Sequence, residues 1–121
     1  MILSETCFYL DKTEKVNLTN NKLNLSHSLF DNDAMFFETN QDVIKLKSSK
    51  NSAYLEISYC DMTCVGLWHK PKTSAPYVCI EPWHGVPSVD GKIDDLETKL
   101  QTIKLGENQS YKNSYSIKVV E

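Results

Sequence analysis

Side chains able to do chemistry are concentrated in the short segment 79–85, which reads Cys-Ile-Glu-Pro-Trp-His-Gly. An indole face such as that of Trp83 stacks on the C–H groups of a sugar, and a carboxylate such as that of Glu81 accepts protons from sugar hydroxyls. Gly85 lets the backbone approach a ligand closely, and His84 adds an imidazole beside it. The segment therefore suits a sugar-binding site. The alternative is a strand end at which the glutamate is solvated and the tryptophan only covers the core.

Glu81 is expected to lie at the end of a β-strand. The apolar run 77–80 has β character and leads directly into Glu81 and Pro82. Because proline cannot donate a backbone hydrogen bond and keeps the preceding residue extended, the strand is predicted to end there and to project Glu81 into a cleft. The polar stretch 85–99 that follows is long for a loop inside a compact domain, and loops of that kind are often functional.

The rest of the chain shows the two-residue periodicity of β-strands. The periodicity is clearest in residues 53–59, and an Asp-Met turn then leads into the apolar run 64–68. These two runs are predicted to pair as a hairpin. The only helical window, 94–105, lacks a strong cap and a continuous apolar stripe, so one turn of helix at most is expected. The sequence therefore predicts one all-β domain over residues 1–121, either a sandwich or a barrel.

Composition makes two classes of partner poor candidates. The net charge is −3, and all of the positive charge comes from scattered lysines, since the chain contains no arginine. The planar fork of arginine dominates specific recognition of bases and phosphates, so nucleic acid is not expected as a partner. The longest apolar runs are far short of the ~20 residues that a membrane-spanning helix needs, so no membrane association is expected.

The four cysteines are expected to be reduced thiols in a cytoplasmic protein. No signal-peptide pattern follows Met1, and Cys7 and Cys79 lie in apolar runs typical of buried thiols. Cys60 and Cys64 flank a predicted turn and are also expected to be unpaired with each other.

No metal and no cofactor is expected. A zinc site can be drawn from Cys60, Cys64, His69, Cys79 and His84, but the Cys-x3-Cys and Cys-x4-His spacings fall outside the tight ligand pairs of structural zinc modules. The chain also has no glycine-rich phosphate loop, metalloprotease helix or serine-nucleophile elbow.

Four segments along the chain form an ordered pattern. The most specific is 79–85. It is preceded by 25–34, which holds Leu-Ser, Leu-Phe and Asp-Ala pairs, and by 65–68, which reads Val-Gly-Leu-Trp. Residues 105–107, Leu-Gly-Glu, precede the last predicted strand. In this order the segments resemble the carboxy-terminal half of the aldose 1-epimerase (galactose mutarotase-like) family, in its LacX-like branch, over most of the chain.

The resemblance implies a fold and a set of site residues. Members of this family are larger antiparallel β-sandwiches, and this chain would form the carboxy-terminal part of such a supersandwich. A glutamate at the position of Glu81 takes the proton of the anomeric hydroxyl, and a histidine from the amino-terminal half protonates the ring oxygen, so that ring opening and reclosure interconvert the anomers. The resemblance thus implies an isomerase of small aldose sugars. Glu81 would be its catalytic base, and Asp33 and His84 would bind substrate beside Trp83.

The chain departs from the family pattern in one respect. The amino-terminal Gly-Gly-His-Pro motif with the acid histidine is absent, and His27, His69 and His84 lie in other motifs. The chain is therefore expected to be a fragment of a longer protein or a shortened product with half a site, and to be catalytically poor alone. Its unpaired strand edges favour self-association into a homo-oligomer. Two alternatives stay open: a non-catalytic carbohydrate-binding or structural β module, and a small β interaction domain in which Trp68 and Trp83 are only core.

Overall fold

The computed structural model describes residues 18–38, 41–89 and 91–121, together with the strand residues 2–3 and 9–10. The all-β prediction is confirmed, because the strands pair antiparallel and the described part of the chain has a single short 3-10 helix, His27–Phe30. The strands are β1 (Ile2–Leu3), β2 (Tyr9–Leu10), β3 (Met35–Glu38), β4 (Val43–Lys47), β5 (Tyr54–Ser58), β6 (Cys64–Trp68), β7 (Cys79–Trp83) and β8 (Ser116–Val120). Cys7, which the sequence places in a buried run, lies outside the described residues.

Six of the strands form two three-stranded antiparallel sheets. Sheet A has the order β3-β6-β7 and sheet B the order β4-β5-β8, while β1 and β2 pair with each other. The register of sheet A places Gly66 of the central strand between Phe36 and Glu81. The register of sheet B places Ile57 between Ile44 and Ile117. Since side chains alternate between the two faces of a strand, each row shares one face of its sheet.

The two sheets share one apolar core, as the layers of a sandwich do. Its buried centre consists of Ile57 from sheet B, Val65 from sheet A, and Tyr59 from the segment that joins them. Partly buried apolar side chains of both sheets pack around this centre: Ile44, Leu46, Leu55, Met62, Leu67 and Ile80. Full burial of a large aliphatic side chain contributes about 1.5–3 kcal/mol, so this cluster is a main source of the stability of the fold.

The predicted hairpin between residues 53–59 and 64–68 is wrong. β5 pairs with β4 and β8, whereas β6 pairs with β3 and β7, so the two runs belong to different sheets. Tyr59 follows β5 directly and is fully buried, and its N–H donates to the carbonyl of Asp42 at 2.9 Å. The N–H of Met62 then closes a tight turn on the carbonyl of Tyr59 at 3.2 Å. The buried tyrosine and this turn carry the chain from one layer of the sandwich to the other.

The predicted end of a strand at Glu81 is also wrong. β7 continues through Pro82 to Trp83, and Pro82 stands opposite Val65 of β6 in the register. In the described part of sheet A, β7 is an edge strand. Proline is tolerated on an edge strand because its missing N–H can face away from the ladder. Glu81 therefore projects from the middle of β7, where it stands opposite Gly66 of β6.

The window 94–105 forms turns and no helix, in agreement with the expectation of one helical turn at most. None of the helical structure in the described ranges is long and apolar enough to cross a membrane.

Candidate functional site

The candidate site lies on the face of sheet A that points away from the shared core. Glu81 and Trp83 are two residues apart on β7, so their side chains leave the same face, and Ile80 between Cys79 and Glu81 points to the core. Glu81 is half-buried. Phe36 of β3 is buried on the same face, and its ring meets the Trp83 ring edge-on with centroids 4.7 Å apart. A carboxylate and two aromatic rings therefore share one surface.

Gly66 makes this arrangement fit. It lies on the central strand between Phe36 and Glu81. A Cβ atom added to Gly66 would be 3.1 Å from Cε1 of Phe36 and 3.5 Å from Cβ of Glu81. The first distance is shorter than an ordinary contact. Because Gly66 has no side chain, the Phe36 ring can pack directly against the backbone of β6, and the Glu81 side chain can lie next to that ring.

Asp33 reaches the same face through a tryptophan. The indole Nε1–H of Trp68 donates to Oδ1 of Asp33 at 2.8 Å, and Trp68 stands opposite Cys79 in the register, on the side of Glu81. The backbone N–H of Asp33 donates to the carbonyl of Phe30 at 3.0 Å, and its φ of 81° lies in the left-handed region. Asp33 is therefore fixed by the turn after the 3-10 helix and by the indole. Three of the four predicted site residues, Asp33, Glu81 and Trp83, adjoin one face of sheet A.

His84, the fourth predicted residue, lines an open cleft next to this face. The cleft has a volume of about 570 Å³ and lies between the end of β7 and the returning segment 99–103; we call it the side cleft. One wall holds Trp83, His84 and Val86, and the other holds Lys99, Gln101 and Ile103. Nε2 of His84 is buried and has no hydrogen-bond partner among the described residues. The imidazole ring packs edge-on against Tyr111 at a centroid distance of 5.7 Å.

Sequence reasoning missed the second wall of the side cleft. Oε1 of Gln101 accepts hydrogen bonds from Thr63 Oγ1 at 2.6 Å and from Cys64 Sγ at 3.2 Å, which holds the returning segment against the start of β6. Nζ of Lys99 donates to Ser88 Oγ at 3.2 Å. The one signal in the sequence was the length of the polar stretch 85–99, which indicated a functional loop without showing where it returns.

His69 has a structural place. It is only 1% exposed, and its Nε2 lies 2.8 Å from the carbonyl oxygen of Ala75. Because a carbonyl can only accept, Nε2 carries the proton of this hydrogen bond. The imidazole packs on Tyr77 with centroids 4.8 Å apart and on His27 at 4.9 Å. His69 thus fixes the strand end after β6.

The three described cysteines are free thiols in different surroundings. Cys60 is exposed, Cys79 is half-buried, and Cys64 is buried. Burial raises the pKa of the Cys64 thiol above its usual value, so this thiol stays protonated and donates to Gln101. Among residues 18–38, 41–89 and 91–121, no three His, Cys, Asp or Glu side chains come together as a set of metal ligands.

Two curated proteins are similar to this chain: protein LacX encoded on a plasmid and protein LacX encoded on the chromosome, both of Lactococcus lactis subsp. lactis. Each is 30% identical to the chain over 99 residues, which is 81% of this chain and 33% of the relative. The chain therefore spans about a third of the length of these relatives. No family model matches the chain. No solved structure matches it either.

Proposed function

We propose that the outer face of sheet A binds an aldose sugar and that Glu81 acts as the general base in the interconversion of its anomers. The observation that carries the proposal is the position of the Glu81 carboxylate, half-buried in mid-strand beside Trp83 and next to Gly66. The similarity to LacX, which covers 81% of the chain, supports a role related to sugar metabolism.

The surroundings of Glu81 suit proton transfer to a carboxylate. None of the described residues forms an ion pair or a hydrogen bond with it, so its oxygen atoms can accept a proton from a ligand hydroxyl. The faces of Trp83 and the indole of Trp68 offer apolar surface to the C–H side of a pyranose. Asp33, whose Oδ1 accepts from the Trp68 indole, lies beside this apolar surface and is proposed as a sugar-hydroxyl ligand.

The proposed reaction balances with one base and one acid. Glu81 takes the proton of the anomeric hydroxyl, the anomeric carbon forms a carbonyl, and the bond from this carbon to the ring oxygen breaks. The ring oxygen takes up a proton at the same time. Rotation of the aldehyde and attack of the hydroxyl on its other face reverse these steps and give the second anomer.

The proton donor is expected to lie outside this chain. The Nε2 proton of His69 is held by the carbonyl of Ala75, and no histidine here matches the family motif for the acid. A sugar-binding module without catalysis is therefore the second candidate. It is favoured by the share of LacX that the chain spans, about a third. Under both candidate functions we propose that the protein lies in the cytoplasm, where free thiols such as that of Cys60 persist.

The test is Glu81→Gln in a full-length form that also supplies the acid histidine, with Glu56→Gln of sheet B as the matched control. Binding of glucose and galactose is followed by NMR line broadening, and anomer exchange by magnetisation transfer. We expect Glu81→Gln to lower the catalysed part of the anomer exchange rate, measured as the excess over the uncatalysed rate, by roughly 10²-fold or more. Glu56→Gln should leave it unchanged. Sugar binding with no acceleration by the wild-type chain would select the second candidate. Acceleration that survives Glu81→Gln would refute the base assignment.

A further inference from the structure

We propose that the open edge of β4 binds an extended acidic peptide segment of a partner protein, which adds to the three strands of sheet B as a fourth. The surface consists of β4 (Val43–Lys47) and the side chains of Tyr54 and Glu56 beside it on β5, and we call it the β4 edge. It belongs to sheet B, whereas Glu81 belongs to sheet A, so the inference does not depend on the proposed sugar site.

The backbone of β4 has hydrogen-bonding groups on its open side. In the described part of the chain, β4 pairs with β5 alone. The N–H of Tyr59 donates to the carbonyl of Asp42 at 2.9 Å, which continues the β4–β5 register by one residue. Because hydrogen-bonded and non-hydrogen-bonded pairs alternate along antiparallel strands, every second residue after Asp42 bonds to β5 and the residues between them point away. The backbone groups on the open side are therefore those of Val43, Lys45 and Lys47.

The side chains of two of these residues make the β4 edge basic. Lys45 and Lys47 stand on the outer face of sheet B, which Lys118 of β8 shares two strands away. Nζ of Lys45 lies 5.3 Å and Nζ of Lys47 lies 4.7 Å from the centre of the Tyr54 ring, so one ring holds both ammonium groups on this surface. Glu56 balances Lys45 at 3.3 Å, but no ion pair among the described residues includes Lys47. A partner strand would therefore meet positive charge here, although the whole chain has a net charge of −3.

Backbone geometry and charge together select the partner. Residues opposite Lys45 and Lys47 on an added antiparallel strand would form hydrogen-bonded pairs with them, with Cα atoms about 5.5 Å apart. Asp or Glu at every second position would then face the ammonium groups, and opposite charges in such cross-strand pairs stabilise a sheet. Apolar residues between the acids would extend the core-facing row of Ile44 and Leu46, which is only partly buried. A second copy of β4 is disfavoured, because it would bring the lysines of two molecules together.

The experiment measures binding of a synthetic peptide, Ser-Thr-Glu-Val-Glu-Val-Glu-Thr-Ser with blocked termini, to the whole chain by NMR titration. One control peptide has Gln in place of each Glu. The other, Ser-Thr-Glu-Glu-Glu-Val-Val-Thr-Ser, keeps the charge but loses the alternation. We expect the alternating peptide to bind about tenfold more tightly than either control. Its binding should slow amide hydrogen exchange at Val43, Lys45 and Lys47 and leave Ile44 and Leu46 nearly unchanged, because their N–H groups already bond to β5.

Variants of the chain test where the peptide binds. Lys45→Gln combined with Lys47→Gln should remove the preference for the Glu peptide over the Gln peptide. Lys118→Gln is the matched control and should keep it, since Lys118 lies on the same face but two strands from the β4 edge. Val43→Pro keeps both lysines and removes an N–H that points away from β5, so it should weaken binding of the Glu and Gln peptides alike, by about threefold. Well-dispersed amide spectra show that each variant is folded.

Four outcomes would overturn the inference. The first is binding of the alternating peptide no tighter than that of the controls, and the second is a preference that survives the double lysine variant. Slower exchange at Ile117 and Val119 in place of the β4 amides would assign the added strand to β8. Tighter binding of heparin, an anionic polymer that cannot extend a β-ladder, would exclude the peptide class. Concentration-dependent slowing of exchange at the β4 amides without peptide would assign the edge to a second copy of the chain.

Discussion

Sheet A and sheet B have strands of similar length but cover their faces differently. In β6 three consecutive residues, Cys64, Val65 and Gly66, are buried, so this part of the central strand of sheet A is covered on both faces. In β4 exposed and half-buried residues alternate, so one face of sheet B meets solvent. That outer face carries ordinary surface interactions, such as the ion pair of Lys45 with Glu56 at 3.3 Å. The outer face of sheet A instead carries the buried Phe36 and the half-buried Glu81 and Trp83.

The strands of sheet B also differ from one another in how far their core-facing side chains are buried. Ile57 of β5 is buried, whereas its neighbour in the register, Ile117 of β8, is 59% exposed. Val119, opposite Leu55, is 65% exposed. These side chains share the core-facing side of the sheet, yet the described residues do not cover them. The alternation of polar and apolar residues along a strand determines which side of the sheet each side chain faces. Whether that side is buried depends on the residues that pack against it.

The largest expected effect tests this contrast within one row of sheet B. Ile57→Ala should lower the free energy of unfolding by about 2–5 kcal/mol, because it leaves a cavity at the centre of the core. Ile117→Ala is the matched control in the same row and should cost less than about 1 kcal/mol, because most of that side chain already meets solvent. Urea unfolding followed by tryptophan fluorescence measures both. Equal losses would mean that β8 is covered in solution.

A smaller effect is expected on the second face of sheet A. Gly66→Ala should destabilise the fold by about 1–3 kcal/mol, because the new Cβ would press on the Phe36 ring at 3.1 Å. Gly106→Ala is the control, since a Cβ there would meet only the flexible side chain of Gln109. If the Gly66 variant were as stable as the wild type, the close packing of this face would be wrong. Phe36→Leu in the Gly66→Ala background should recover part of the loss.

The smallest change in stability is expected for substitutions of the exposed apolar side chains of β8, Ile117 and Val119. These substitutions are expected to affect self-association more than stability. We predict that the chain self-associates through this apolar edge, because unpaired edges and apolar surface tend to find a cover. Val119→Lys should shift the population toward monomer and change the free energy of unfolding by no more than about 0.5 kcal/mol. Lys118→Gln, on the opposite face, is the control. Light scattering measures both, and a wild-type chain that is monomeric at all concentrations would contradict the prediction.

Local features of the fold could be predicted from the sequence. The strand within 53–59 and the all-β class follow from two-residue periodicity, which depends only on neighbouring residues. The partner of a strand depends on distant residues. The hairpin prediction therefore failed at Tyr59, whose burial sends the chain to the other sheet.

The same reason limits what could be known of the site. The sequence analysis singled out Glu81, Trp83 and Asp33 as site residues. In the structure all three adjoin the outer face of sheet A. The end predicted at Pro82 was wrong, because the rule against proline in a strand does not hold at an edge. The wall formed by residues 99–103 depends on a hydrogen bond that the Cys64 thiol donates to Gln101 Oε1, and nothing in the local pattern of either residue indicates this contact.

The pairing of β5 with β8 has a consequence for the rate of folding. Tyr54 stands opposite Val120, so more than half of the chain lies between two neighbours in one sheet. Closing so long a loop costs entropy before the pairing contributes any contacts, and folds built on such distant pairs form in milliseconds to seconds rather than microseconds. The β4–β5 pair, whose strands are close in sequence, is expected to form first, and docking of β8 to complete sheet B late. During that interval the free edge of β5 is open to strands of other molecules.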